Sequence, residues 1–559
     1  MTALLRNRGL WAWFALAMLA AWLWWPALNP VHVEGFSASI VALGLHLAQG
    51  TLADFFPSQP MNTEYFGLTK LGAVLGVAAL AKIGIAGETA MRMLMALGAA
   101  LLIGGSARLV RYWSGAPWLV VAAALVLIPG VAESSFFFND NMLGAGLLVA
   151  ALAVFCDRRA IAAALLAGAL IGLAVTVRTD LVLATPAILL MAWEREPLPR
   201  AMVTTAAVAA AAVVTLWLCY ALVGATPFDA VRVGAVAVDL WGRSGDAGRH
   251  IQALLLYLGL PGLLLLLLGL RVAIGVRDWR RLALLLGVPL LINLALAGKI
   301  WEARQLLPLT PFLATLVAFG GQRLIADWRN GQRAAPAIFG AAILAILFAP
   351  PALRAASDGP HALVGRVAAM ADWASWQARI RRNFTLIDSV IAATPAGGSQ
   401  AILTDYWDED RYLHLRLIEQ GFRAIPQPAA CNAIGETLAK DGRTILHLSP
   451  HQTFLPNADA LYPLRLSELA LPCLGATRSE PVLIASDDRV ARITRGDMAP
   501  APRGTANPSF ALARLSPVLL DRLGEDHERA AREERPGAYR TVAAAIVATR
   551  ARTGFGERR

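Results

Sequence analysis

Long apolar runs alternate with short polar loops through the first 353 residues of the chain. Runs of about 17–23 apolar residues are long enough to cross a bilayer as helices. The pattern predicts about eleven transmembrane helices, which begin near Gly9, Glu88, Pro117, Asn139, Ala160, Leu181, Ala201, Ala253, Arg281, Leu306 and Pro336. After residue 353, strand-like runs at residues 401–404, 444–448 and 481–485 alternate with helical runs, which predicts a C-terminal α/β domain.

The polar loops between these runs are of two kinds. One kind is short or mixed in charge, and the other is basic and comprises residues 108–111, 157–159, 195–200, 271–281 and 323–333. Basic loops stay in the cytoplasm, so we expect the N-terminus inside and the C-terminal domain outside. The two kinds alternate only if residues 66–85 do not span. That run contains four glycines, Lys70 and Lys82, so we expect an interfacial or re-entrant helix in a long first outer loop.

The composition is that of a polytopic membrane protein. Of the 559 residues 57% are hydrophobic and 16% are charged, and the mean hydropathy is +0.55. The net charge of +11 does not indicate nucleic-acid binding, because much of the basic charge lies in the short loops. Richness in Ala, Leu, Arg and Gly is typical of a GC-rich bacterial source, so we predict a multi-pass protein of the bacterial inner (plasma) membrane.

Three domains are predicted from the change in composition along the chain. Residues 1–353 form the membrane domain, residues 354–505 a periplasmic α/β domain, and residues 506–559 a charged helical tail. Cys431 and Cys473 both lie in the periplasmic part, where an oxidising environment permits a disulfide between them without requiring one.

Ionisable residues gather at the predicted outer ends of the helices, where they are costly unless paired or functional. They fall into five sets: Glu34; Glu64, Tyr65 and Lys70; Asn139 and Asp140; Arg178 and Asp180; and Lys299, Glu302 and Arg304. Carboxylates such as Glu34 and Asp140 can deprotonate an acceptor hydroxyl or hold a metal ion. Arginines such as Arg178 and Arg304 can bind a phosphate bidentately. Together these groups suit a lipid phosphate whose tail lies in the bilayer.

Each of these residues also has an ordinary structural interpretation. Asp140 before a helix is typical of an N-cap, and Arg178 and Arg304 at helix ends are typical of interfacial anchors. Asp180 is explained by an ion pair with Arg178 or by capping of the next helix, and His32 by a loop position. The functional interpretation is favoured because all five sets lie on one predicted side of the membrane.

A series of short motifs carries a family resemblance over residues 31–353. In order, they are Glu34-Gly35-Phe36, Phe55-Phe56-Pro57, Phe138-Asn139-Asp140, Gly172-Leu173-Ala174 running on to Arg178, and Arg304 followed by Leu307-Pro308. The series resembles the GT-C glycosyltransferases, integral membrane enzymes that use polyprenyl-phosphate sugars, and above all the subgroup of aminoarabinose transferases and protein O-mannosyltransferases. The sequence departs from that family at Glu34, where Asp is usual, and at the following Gly35, where a second acid is frequent.

The resemblance implies a polytopic α-helical GT-C-like fold and an inverting sugar transfer. The donor would be a polyprenyl-phosphate sugar, and the acceptor a lipid, glycan or protein at the outer face of the inner membrane. Glu34 and Asp140 would be the catalytic residues, and Arg178 and Arg304 would bind the donor phosphate. Further residues expected to line the site are His32, Glu64, Tyr65, Lys70, Asn139 and Glu302.

The resemblance leaves the cofactor open between none and a divalent cation such as Mg²⁺ or Mn²⁺. Two other functions remain. One is a transporter or flippase of lipid-linked saccharides, for which matched broken helices and charges near mid-span would be expected. The other is an envelope scaffold whose C-terminal domain carries the function.

Overall fold

The structure is a computed structural model that describes two groups of residues. The first group comprises residues 35–50, 67–85, 87–128, 130–131, 140–157, 161–231, 247–276, 278–296 and 303–347. The second group lies in the C-terminal part and comprises residues 401–404, 415, 418–419, 423–426, 445–451, 480–486, 489–492 and 509–515.

Helices occupy each of the hydrophobic runs predicted from Glu88 onward, and two more lie in the predicted first outer loop. The loop helices are α1 (Gly35–Gln49) and α2 (Leu71–Lys82), and a 3₁₀ turn at Gly67–Lys70 precedes α2. The others are α3 (Gly87–Ser114), α4 (Trp118–Val126), α5 (Asn141–Asp157), α6 (Ile161–Val177), α7 (Pro186–Arg195), α8 (Leu198–Ala221), α9 (Ala247–Val276), α10 (Trp279–Leu282), α11 (Val288–Leu296), α12 (Thr310–Arg329) and α13 (Ala334–Leu347).

Four stretches of the described chain are long and apolar enough to cross a membrane. They are Gly87–Ser114, Leu198–Ala221, Tyr257–Val276 and Gln305–Arg329. Helix α2 has 12 residues, or about 18 Å, and its interfacial or re-entrant position stays a prediction. The protein is therefore a mostly helical membrane protein. The count of about eleven spans stays a prediction, and the first predicted helix, near Gly9, lies outside the described residues.

Prolines and glycines divide several of the predicted runs. The run near Leu181 forms a 3₁₀ segment, Thr179–Ala184, before Pro186 opens α7, because proline fits the first turn of a helix. Helix α9 is broken at Gly259, whose backbone (φ 61°, ψ 168°) is open only to glycine, and Pro261 follows. Another 3₁₀ segment, Ala303–Leu309, leads into α12.

The chain divides into two compact units. The first comprises Met1–Val31, Arg92–Pro227 and Arg243–Trp376, and the second comprises His32–Met91, Phe228–Gly242 and Gln377–Arg559. The domain boundaries proposed from composition, at residues 353 and 505, stay predictions.

In the first unit, glycines let helix backbones approach closely. A Cβ on Gly172 of α6 would lie 2.6 Å from the Ala212 carbonyl oxygen of α8, and Gly168 is equally closely placed one turn earlier. Gly269 of α9 and Gly320 of α12 pack against backbone atoms of the opposite helix in the same way. Small residues are what membrane helices use for close packing. These contacts hold the helix ends in fixed positions.

The second unit contains α1 and α2, which pack together through Gly44 and Val77. It also contains a mixed six-stranded sheet of order β2-β1-β3-β6-β4-β5. The strands are β1 (Ala401–Thr404), β2 (Arg423–Pro426), β3 (Ile445–His451), β4 (Glu480–Ser486), β5 (Arg489–Arg492) and β6 (Ser509–Leu515).

Strands occur at all three places where the sequence predicts them, while most of the intervening residues lie outside the described part, so the α/β class stays a prediction. Strand β6 falls inside the predicted helical tail and pairs antiparallel with β3 and β4. Its alternating sequence, with Phe510 and Leu512 on one face, suits a strand.

Candidate functional site

Asp140 stands at the start of α5 in the first unit. Its carbonyl accepts the Gly144 amide at 3.0 Å, so the helix begins at this residue. Asp140 is 4% exposed and Asn141 is 5% exposed, which makes both buried polar residues. A carboxylate at a helix N-terminus is stabilised by the helix dipole, so the fold can keep a negative charge here.

Arg178 and Asp180 form an ion pair between the end of α6 and the 3₁₀ segment Thr179–Ala184. The Arg178 Nε donates to Asp180 Oδ1 at 2.9 Å, and Nη2 donates to Oδ2 at 2.6 Å. The side chains are only 13% and 25% exposed. A bidentate pair fixes the plane of the guanidinium. The pairing expected from the sequence for Asp180 is confirmed.

The structure brings Arg178 alongside the first turn of α5. A Cβ on Gly144 would lie 2.9 Å from Leu181 Cδ1 and 3.5 Å from Arg178 Cγ. Asp140 and Gly144 are four residues apart and therefore share a helix face. The absence of a side chain at Gly144 lets the Arg178 turn reach the end of α5 that carries Asp140.

The segment that carries Arg304 belongs to the same region. The 3₁₀ segment Ala303–Leu309 packs against α5 and α9, and its Leu306, Leu307 and Leu309 are buried. The backbone of Arg304 is described as part of this segment, whereas its side chain lies outside the described part. Asp140 and the Arg178 turn thus meet at one end of α5, and the segment that contains Arg304 packs against the same helix.

The basic loops gather at the other end of α5. Arg195, at the end of α7, donates from Nη1 to the Phe155 carbonyl at 2.9 Å and from Nε to Tyr112 Oη at 3.2 Å. Its guanidinium lies 5.0 Å from the centre of the Tyr112 ring. Helix α5 has 17 residues, so its two ends lie about 25 Å apart. The candidate site and the basic loops therefore occupy opposite ends of this helix.

Of the other predicted site residues, Lys70 alone lies in the described part of the chain. Lys70 ends the 3₁₀ turn Gly67–Lys70 in the second unit and is half-buried. The remaining residues, Glu34, His32, Glu64, Tyr65, Asn139 and Glu302, lie outside the described part of the chain.

A divalent cation does not fit the described residues at this end of α5. No group of three His, Cys, Asp or Glu side chains that could hold a metal occurs in the part of the chain that the structure describes. Of the carboxylates at the site, Asp180 is bound by Arg178. The single carboxylate of Asp140 is a poor site for Mg²⁺ or Mn²⁺, which prefer several oxygen ligands. No chemical step below runs through a metal.

Sequence reasoning missed Tyr257, a residue in the broken part of α9. Its side chain is fully buried, and its Oη lies 2.6 Å from Thr310 Oγ1 at the start of α12. A lone tyrosine in an apolar run carries no distinguishing signal, because its partner lies 53 residues further along the chain.

Among the comparisons with known proteins, only the comparison of structures finds similar proteins. No family model matches the sequence. No curated protein matches it either. The structure of ArnT from Cupriavidus metallidurans bound to undecaprenyl phosphate aligns with a TM-score of 0.56 at 14% identity, covering 89% of this chain and 97% of ArnT. The apo structure of the same ArnT aligns with a TM-score of 0.55 at 14% identity, covering 91% and 98%.

A more distant similarity is to the archaeal oligosaccharyltransferase AglB from Archaeoglobus fulgidus, with a TM-score of 0.44 at 11% identity, covering 92% of this chain and 77% of AglB. The assignment of the fold rests on ArnT, a GT-C aminoarabinose transferase, which the chain matches over nearly its whole length. The chain therefore has the fold of ArnT over nearly its whole length.

Proposed function

We propose that this protein transfers a sugar from a polyprenyl-phosphate sugar to an acceptor at the outer face of the bacterial inner membrane. The observation that carries the proposal is that the Arg178–Asp180 pair lies beside the end of α5 that carries Asp140, while the Arg304 segment packs against the same helix. The fold it shares with ArnT, one structure of which holds undecaprenyl phosphate, supports a lipid phosphate as the ligand of this end.

The proposed reaction inverts the configuration at the anomeric carbon. Glu34 takes the proton of the acceptor hydroxyl (or amine) as its oxygen or nitrogen bonds to the anomeric carbon. The bond from that carbon to the phosphate oxygen breaks, and its electron pair leaves with the polyprenyl phosphate. Arg178 and Arg304 hold the phosphate as its charge grows, and a charge-assisted hydrogen bond of this kind contributes about 1.5–3 kcal/mol.

Asp180 and Asp140 have supporting roles in this scheme. Asp180 holds the Arg178 guanidinium in one orientation through its two hydrogen bonds. Asp140, buried beside the same turn, adds negative charge close to the reacting centre and orients the acceptor. His32, Glu64, Tyr65, Lys70, Asn139 and Glu302 are proposed to line the site.

The membrane arrangement is part of the proposal. About eleven helices cross the bilayer, the N-terminus is cytoplasmic, and the basic loops lie in the cytoplasm because of their charge. Residues 354–505 then form a periplasmic domain that contributes to acceptor recognition.

A transfer assay tests the proposal directly. Purified protein in lipid nanodiscs is given a panel of polyprenyl-phosphate sugars and candidate acceptors, with and without chelator. We expect release of polyprenyl phosphate with at least one donor, and its loss in Glu34→Gln while folding and membrane insertion are kept. Wild-type turnover by Glu34→Gln would overturn the catalytic assignment. An absence of turnover combined with saccharide movement across vesicles would instead establish the transporter.

A further inference from the structure

The hydroxyl groups of Tyr257 and Thr310 form a directed chain of hydrogen bonds. Both side chains are fully buried, and their oxygens lie 2.6 Å apart. The Thr310 Oγ1 also donates to the Leu307 carbonyl at 2.6 Å. A threonine hydroxyl has a single hydrogen to donate, so Tyr257 must be the donor to Thr310. The chain therefore runs from Tyr257 through Thr310 to the Leu307 carbonyl.

The Leu307 carbonyl lies in the 3₁₀ segment Ala303–Leu309, where a backbone carbonyl accepts the amide of the residue three positions later, here Thr310. The Thr310 hydroxyl is a second donor to the same carbonyl, whose oxygen has two lone pairs. The residue four positions later, Pro311, has no amide hydrogen, so no α-helical bond competes with the hydroxyl. The chain thus stabilises the 3₁₀ segment Ala303–Leu309, which carries Arg304.

Tyr257 also contacts the part of the chain that leads to Asp140. Its ring occupies the space that a Cβ on Gly130 would need. The break of α9 at Gly259 lies two residues after Tyr257 and gives the helix a bend at this level. The Tyr257 side chain therefore contacts both Gly130 and the start of α12, which follows the segment that carries Arg304.

We propose that Tyr257 and Thr310 are positioning residues for the donor phosphate. They fix the Arg304 segment against α9, one of the two helices on which that segment packs, without themselves touching substrate. The inference rests on the proposed function, and it adds residues that the family motifs in the sequence did not indicate.

Three variants and one matched control test this role. Tyr257→Phe removes only the donor hydroxyl, Thr310→Val breaks the chain at its centre, and Thr310→Ser keeps it. Thr315→Val is the control, because Thr315 lies in the same helix, is equally buried and donates to the Pro311 carbonyl at 2.6 Å without touching Tyr257. Each purified protein is titrated with polyprenyl phosphate in nanodiscs, and its donor KM, kcat and thermal midpoint are measured.

Tyr257→Phe and Thr310→Val are each expected to weaken polyprenyl-phosphate binding about five- to tenfold, the factor expected from a net buried hydrogen bond. The double variant should lose little more than the larger single loss, because both changes break the same chain. Thr310→Ser should bind within about twofold of the wild type, and Thr315→Val should bind as the wild type does even if its thermal midpoint falls.

Two results would overturn the inference, and they differ in what else they overturn. If the wild type binds polyprenyl phosphate and both Tyr257→Phe and Thr310→Val bind equally well, the chain is only structural and this inference alone is wrong. If the wild type does not bind polyprenyl phosphate, the proposed function is wrong and the inference falls with it.

Discussion

At the scale of single residues, the main charged contact described at the candidate site is the ion pair of Arg178 and Asp180. Two hydrogen bonds hold the guanidinium, and little of either side chain reaches solvent. A buried arginine without its carboxylate would leave an uncompensated charge. The pair therefore explains how the fold keeps the Arg178 guanidinium in place near Asp140.

Asp180→Ala is expected to lower kcat/KM for the donor about tenfold, because Arg178 loses the partner that orients it. Arg178→Lys should lower it about a hundredfold, since an ammonium keeps the charge but cannot form the bidentate contact. Steady-state kinetics with varied donor concentration measures both.

Asp327→Ala serves as the control for that experiment. Asp327 accepts from Arg323 Nε at 3.0 Å in a comparable pair on α12, at a carboxylate that is only 10% exposed. Its loss should leave the donor KM unchanged. Equal losses from Asp180→Ala and Asp327→Ala would mean that the Arg178 pair serves stability only.

His46 makes the second unit sensitive to acid. It lies in α1 and is 7% exposed, and burial lowers its pKa from 6.5 to about 4. In the unfolded chain the His46 imidazole binds a proton near pH 6.5, whereas in the folded chain it binds one only near pH 4. The free energy of unfolding is therefore unaffected by His46 above pH 6.5. It decreases as the pH falls toward 4, by at most about 3 kcal/mol.

The thermal midpoint of the wild type should fall between pH 7 and pH 4.5, and that of His46→Leu should fall less over the same range. The comparison is made in one detergent at constant ionic strength. Parallel curves for the two proteins would show that other groups cause the acid sensitivity.

At the scale of helices, the positions of the elements could be predicted, but their interruptions could not. Each run from Glu88 onward contains a helix, because bilayer-length apolar runs leave few alternatives. The 3₁₀ segment before Pro186 and the break at Gly259 are not predicted, because the mean hydropathy of a bilayer-length run does not respond to a single proline or glycine. The same limit applies to the site. The charged residues Asp140 and Arg178 are easily recognised in an apolar sequence. A role for Tyr257 is recognised only from its hydrogen bond with Thr310.

The close packing of α6 against α8 gives a prediction at this scale. Gly172→Ala places a methyl group 2.6 Å from the Ala212 carbonyl oxygen and 2.8 Å from Thr215 Cβ. Because the nearest atom is backbone, the helices must separate, and we expect a loss of about 1–3 kcal/mol. Gly340→Ala in α13 is the control, since no atom lies within 4 Å of its Cβ position.

Thermal unfolding in detergent should show a midpoint lowered by several degrees for Gly172→Ala and an unchanged or slightly raised midpoint for Gly340→Ala. An unchanged midpoint for Gly172→Ala would mean that α6 and α8 are less closely packed than the structure has them.

At the scale of the whole molecule, the first unit has two chemically different ends. Asp140 and Arg178 lie at one end of α5, and Arg195 with Tyr112 and Phe155 lies at the other. Arg281, from another basic loop, lies at this second end as well. Its Nε donates to Oε1 of Glu194, the neighbour of Arg195, at 3.1 Å. Because basic loops stay in the cytoplasm, we expect the candidate site on the opposite, outer side.

Single cysteines test this orientation in a background where the four native cysteines are alanine. Ala225 follows the C-terminal end of α8, whereas a basic loop lies at the N-terminal end of that helix. Asn330 lies in the basic loop after α12. A membrane-impermeant maleimide should label Ala225→Cys in intact spheroplasts and Asn330→Cys only after lysis, with a cytoplasmic enzyme as the marker of intactness. The reverse pattern would place the candidate site in the cytoplasm, where a periplasmic acceptor could not reach it.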